Sequence, residues 1–73
     1  MNMDELLSQL STREKQVVSF LVKGLSNKEI AKRLFVTEYT VKFHCQNIYT
    51  KMKVKNRVEL MCATQYLAEK LYP

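Results

Sequence analysis

The chain has 73 residues, room for one small core but not for two domains or for a core that encloses a catalytic cleft. Hydrophobic residues make up 47% and charged residues 26%, with a single Gly and a single Pro, a scarcity of breakers that favours helices over a turn-rich β fold. Twelve Lys and Arg against seven Asp and Glu leave a net charge of +5, an excess that suggests a polyanionic partner.

Several classes are excluded at this level. No apolar run approaches the roughly 20 residues of a membrane span, and Asp4 and Glu5 stand where a signal peptide would be basic, so a soluble, cytoplasmic chain with no membrane partner is expected. Cys45 and Cys62 form no CxxC motif and are read as reduced thiols; with one His they supply no metal-ligand set. No nucleophile sits beside a base at a recognisable spacing, and no Gly-rich phosphate loop is present. An enzyme is therefore not expected, nor a catalytic residue, a cofactor or a small-molecule ligand.

Residues 1–9 read as a short helix or a frayed leader, and residues 10–73 as the domain. Three later segments begin with a short polar residue and carry an acid three positions on: Ser11-x-x-Glu14, Ser26-x-x-Glu29 and Asn56-x-x-Glu59. Each pair can satisfy two orphan amides reciprocally, and each acid suits the positive end of a helix. A first helix is expected over about 12–23, with Val17, Phe20, Leu21 and Val18 turned inward. Gly24 ends it in the left-handed conformation, and Leu25 folds back. A second, over about 27–34, carries Ile30, Ala31 and Leu34 on one side and Lys28, Lys32 and Arg33 on the other.

Phe35, Val36 and Thr37 form a tight connection, and Thr37 can cap a third helix over about 38–52. At about 100° per residue, Val41, Cys45, Ile48 and Met52 cluster in one arc, while Tyr39, Phe43, Gln46 and Thr50 project the opposite way. From Tyr39 to Val58 the charges are Lys42, Lys51, Lys53, Lys55 and Arg57, with no acid. A fourth helix, over about 57–71, is apolar twice over. Leu60, Ala63, Thr64 and Leu67 make one stripe. Val58, Met61 and Cys62, with Gln65 beside them, make another, which calls either for closure by Leu6, Leu7 and Leu10 or for a second subunit.

The runs from Leu10 to Glu14, Gly24 to Ala31, Thr37 to His44 and Lys51 to Arg57 resemble the LuxR-type helix-turn-helix, also called the FixJ or NarL type, and the likeness extends from Leu10 to Leu60. It implies an all-α, four-helix fold in which the second and third helices form the helix-turn-helix, the third enters the major groove of double-stranded DNA, and the fourth dimerises. The chain is then expected to be a bacterial transcription regulator that binds duplex DNA as a weak homodimer, with RNA polymerase a further partner. The positions matching base-facing residues are Lys42, Phe43 and Gln46: Lys42 and Gln46 can bond to base edges, and Phe43 can touch a thymine methyl. Phe43 is larger than the Val common there, and Lys53 stands where many members carry Gly.

Asn27 and Lys28, at the start of the second helix, and Thr40, His44 and Asn47, on the flank of the third, are candidates for phosphate contact, as is Lys51. Capping support for Asn27, Lys28 and Thr40, and a satisfied half-buried ring for His44, are the plainer alternatives. Lys53 and Lys55 add diffuse attraction. Val58, Met61, Cys62 and Gln65 are the candidate dimer surface. The rival reading is a protein-docking helical module whose charge is incidental. Salt-dependent retention on heparin or random duplex separates the two.

Overall fold

The computed structural model describes residues 3–65. Among them are five helices and no strand: α1 (Met3–Ser8), α2 (Thr12–Val22), α3 (Asn27–Leu34), α4 (Glu38–Met52) and α5 (Arg57–Ala63). The all-α expectation holds, and within the leading segment Met3–Ser8 are helical.

Two of the expected reciprocal caps are complete. Glu14 N–H donates to Ser11 Oγ at 3.1 Å and Ser11 N–H to Glu14 Oε1 at 2.9 Å; Glu29 N–H donates to Ser26 Oγ at 3.2 Å and Ser26 N–H to Glu29 Oε1 at 3.0 Å. The third is only half made. Glu59 N–H donates to Asn56 Oδ1 at 2.9 Å, but the Glu59 carboxylate accepts from Lys55 N–H at 2.8 Å, not from Asn56. Asn56 has φ −158°, against −69° for Ser11 and −74° for Ser26. That rotation swings its N–H away from the first turn.

Gly24 has φ 86°, and the two bonds of a Schellman ending close α2: Gly24 N–H to Leu21 O at 2.9 Å and Leu25 N–H to Phe20 O at 3.1 Å. The same left-handed turn recurs without glycine at Phe35 (φ 58°) and Lys53 (φ 59°). There the bonds run from Val36 N–H to Ala31 O and from Val54 N–H to Tyr49 O, both at 3.0 Å. Lys53 therefore keeps the turn that Gly usually provides.

The long α4 is the axis of the molecule and packs against every other helix. Its stripe of Val41, Cys45, Ile48 and Met52 is buried, as expected, facing Val17, Val18 and Leu21 of α2, Ile30 and Ala31 of α3, and Leu60 of α5. Phe20 and Leu34 pack against this core as expected but are only half-buried. Glu14, Val17, Val18 and Leu21 centre the buried arc of α2, which leaves Phe20 at its edge with the Arg33 guanidinium 5.8 Å over its ring.

Leu6 and Leu10 are buried, and α1 lies on α4. They do not cover the surplus stripe of α5, where Val58 is 68% exposed and Cys62 is exposed. Within the described residues α5 runs to Ala63, and the buried Thr64 turns its hydroxyl back to Leu60 O at 2.6 Å. The expected extension to residue 71, with Leu67, lies outside the described residues. Among the described residues no helix is long and apolar enough to cross a membrane.

Candidate nucleic-acid interface

Because one face of α4 is wholly core, its opposite face has to look outward. Thr37 sets where that face begins, since its Oγ1 accepts from Thr40 N–H at 3.1 Å. Tyr39, Lys42, Phe43 and Gln46 then follow at intervals of three and four residues, all exposed, and line a shallow, mainly apolar depression of about 190 Å³. The three candidate base readers thus come together. Tyr39 joins them, and sequence reasoning did not single it out as a site residue. Its signal was present: it lies one turn before Phe43, on the same outward stripe.

The candidates for phosphate contact divide. Lys28 is exposed at the start of α3, where the Ser26 hydroxyl takes Glu29 N–H and leaves the preceding amides of the first turn for an anion. His44 and Asn47 are half-buried along the flank of α4. The His44 ring stands edge-on to Phe43, with centroids 6.0 Å apart at 62°. Thr40 serves the first turn of α4, its Oγ1 lying 3.0 Å from that of Thr37.

Asn27 and Lys51 are engaged inside the molecule. Asn27 Oδ1 accepts from Arg57 Nη1 at 3.4 Å and lies 3.9 Å from Cys45 Sγ, while Arg57 Nη2 donates to the Leu25 carbonyl. This cluster fastens the starts of α3 and α5 to the inner face of α4. Burial pushes the Cys45 thiol up, so it stays protonated and suited to donate. Lys51 Nζ lies 2.7 Å from Glu14 Oε1. Burial opposes ionisation of Glu14, but the bond from Lys51, the Ser11 amide and the Lys51 charge outweigh it and hold the carboxyl below the usual carboxylate range.

Met61 and Cys62 of α5 and Gln65 just beyond it share a second open depression with Val22 of α2, about 330 Å³ in volume. Val58 is exposed on the same helix but is not part of that lining. Among the described residues no group of His, Cys, Asp or Glu could hold a metal ion.

These features belong to a known architecture. Residues 8–64 match the family model for bacterial regulatory proteins of the luxR family, and the chain belongs to that family. It is therefore a DNA-binding helix-turn-helix domain of bacterial transcription regulators. It is 47% identical over 53 residues to the nitrate/nitrite response regulator protein NarL of Escherichia coli K12, a match covering 73% of this chain and 24% of that protein. It is 42% identical over 67 residues to the response regulator protein TodT of Pseudomonas putida, covering 92% of this chain and 30% of that protein. To the CsgBAC operon transcriptional regulatory protein of Escherichia coli K12 it is 48% identical over 50 residues, 68% of this chain and 23% of that protein. The chain thus spans only 24% and 30% of the length of the first two relatives.

Proposed function

We propose that this domain recognises a specific duplex sequence by laying α4 in the major groove. The observation that supports it is the outward quartet of α4, which sets a cation, a carboxamide and two aromatic rings on the face opposite a fully buried stripe. Gln46 can give and take a hydrogen bond and so distinguish base edges, Lys42 donates to guanine acceptors, and Phe43 supplies apolar contact. Lys28, Thr40, His44 and Asn47 border this face and position the backbone, together with the free amides at the start of α3. Asn27 acts by holding that helix start. Lys51 lies nine residues along α4 from Lys42, about 13 Å of helix axis, and offers a phosphate an ammonium shared with Glu14.

The outer face of α5, with Val58, Met61 and Cys62, and Gln65 just beyond it, pairs with a second copy about a two-fold axis and loads two half-sites weakly. Regulation of transcription then takes place on the bacterial chromosome, in the cytoplasm, where RNA polymerase is the further partner.

The test is selection of bound duplexes from a random pool, followed by titration of wild type and Gln46→Ala on selected and scrambled sites at several salt concentrations. Wild type should prefer the selected site, and Gln46→Ala should lose about 1–3 kcal/mol there and little on the scrambled one. Equal weakening of both sites would sink the role given to Gln46. Retention that is indifferent to salt would favour a protein-docking module instead. For the dimer, Cys62→Glu should reduce cooperative loading on a two-half-site duplex, because an apolar contact disfavours a buried charge.

A further inference from the structure

We infer that Tyr39 and Phe43 form a reader for the C5-methyl group of a pyrimidine, which makes Tyr39 a specificity-determining residue and makes the site sensitive to base methylation. The inference rests on the reading above that α4 is the base-reading helix.

The two rings are 79% and 58% exposed, one helical turn apart, at the walls of the depression whose rim carries Lys42 and Gln46. Such rings lose free energy in water unless something apolar covers them. The His44 ring stands edge-on to Phe43, with centroids 6.0 Å apart. A cation at the rim and the net positive charge of the chain favour a polyanion as the occupant over an apolar protein surface. The major groove presents one apolar group, the C5-methyl of thymine. 5-Methylcytosine presents the same methyl at the same ring position, whereas uracil and cytosine have hydrogen there. Gln46 beside the cleft can then pair with an adjacent adenine edge, and Lys42 with a guanine.

The test uses the duplex selected by the intact chain. Each thymine is replaced singly by deoxyuridine, which removes the methyl and leaves every hydrogen-bonding group in place. For wild type, one position per half-site should lose affinity about fourfold, the value of one methyl-sized apolar contact. At that position a cytosine should bind more weakly than 5-methylcytosine by a similar factor. In Tyr39→Ala and Phe43→Ala both ratios should fall to about one; because both side chains are exposed, these variants should melt as cooperatively as wild type.

A uracil scan that is flat at every position, on a site still preferred over its scrambled form, overturns the reader and leaves α4 as the base-reading helix. Ratios that persist in both alanine variants place methyl recognition elsewhere and overturn it too. Failure of the chain to prefer any sequence removes the parent reading and this one together.

Discussion

Glu14 and Lys51, 37 residues apart in the chain, meet at 2.7 Å, and the carboxylate oxygen that receives the Lys51 ammonium is the same one that receives the Ser11 amide. One oxygen therefore caps α2 and ties it to the last turn of α4. The Glu14 side chain is 6% exposed and that of Lys51 40%, so the carboxylate depends on its partners more than the ammonium does.

Removing either side of this contact should show coupling. Glu14→Gln and Lys51→Ala should each lower stability, and the double variant should be less destabilised than their sum by about 0.5–1 kcal/mol, a value kept small because the ammonium is partly solvated. Urea unfolding of the four proteins measures it. Strict additivity would show that the ion pair contributes nothing.

The same contact sets a dependence on acid. Glu14 ionises more readily in the folded chain than in the unfolded one, so its contribution is complete above the unfolded pKa of about 4.3 and fades as pH falls through the lower folded value. Glu29, whose carboxylate is held down by the Ser26 amide and hydroxyl, acts in the same direction. Melting temperature should decline below about pH 4.5 in wild type, and less steeply in Glu14→Gln. Parallel declines would remove Glu14 as a source.

Left-handed backbone at Lys53 and Phe35 predicts a gain. An L side chain there costs about 1–2 kcal/mol, and Gly returns about 0.5–1 kcal/mol of that through the entropy of its unfolded chain. Lys53→Gly and Phe35→Gly should each stabilise by roughly 0.5–1 kcal/mol, a rise of about 2–8 °C in melting temperature. Phe35 is 94% exposed, so its removal forfeits little packing. A fall in melting temperature would mean that these side chains make contacts that outweigh the backbone relief.

Arg57 should be costly to lose although it touches neither proposed DNA surface. Arg57→Ala leaves the Leu25 carbonyl without its donor and Asn27 Oδ1 with only the long contact from Cys45 Sγ, a loss worth about 1–3 kcal/mol. Arg57→Lys should recover only part, because an ammonium cannot fork to two acceptors at separate places as the planar guanidinium does. Chemical denaturation with far-ultraviolet circular dichroism reads both. Full recovery by Lys would show that charge alone suffices.

Much of this could be read along the chain because it is local. A helix has a fixed period, so the spacing of Val41, Cys45, Ile48 and Met52 was enough to determine which side of α4 is core and which side, with Phe43 and Gln46, is presented outward. The caps at Ser11 and Ser26 and the ending at Gly24 involve residues within six positions of one another, and they formed as their sequence required. The cap at Asn56 formed by half, because the direction of an amide depends on a backbone angle that the residue type does not specify.

What the tertiary structure decided is which distant groups meet. The choice between core and surface for Phe20, Leu6 and Val58 depended on how helices cross, since each lies at the edge of its stripe or on a helix apolar on two sides. The partners of Lys51 and Asn27 came from α2 and α5, across 37 and 30 positions, and no periodicity within one helix can indicate a charge or a guanidinium supplied by another. Composition and spacing determined that the chain is helical, basic and built around one helix with an outward face; packing alone decided which polar side chains stay exposed and which are spent holding that helix in place.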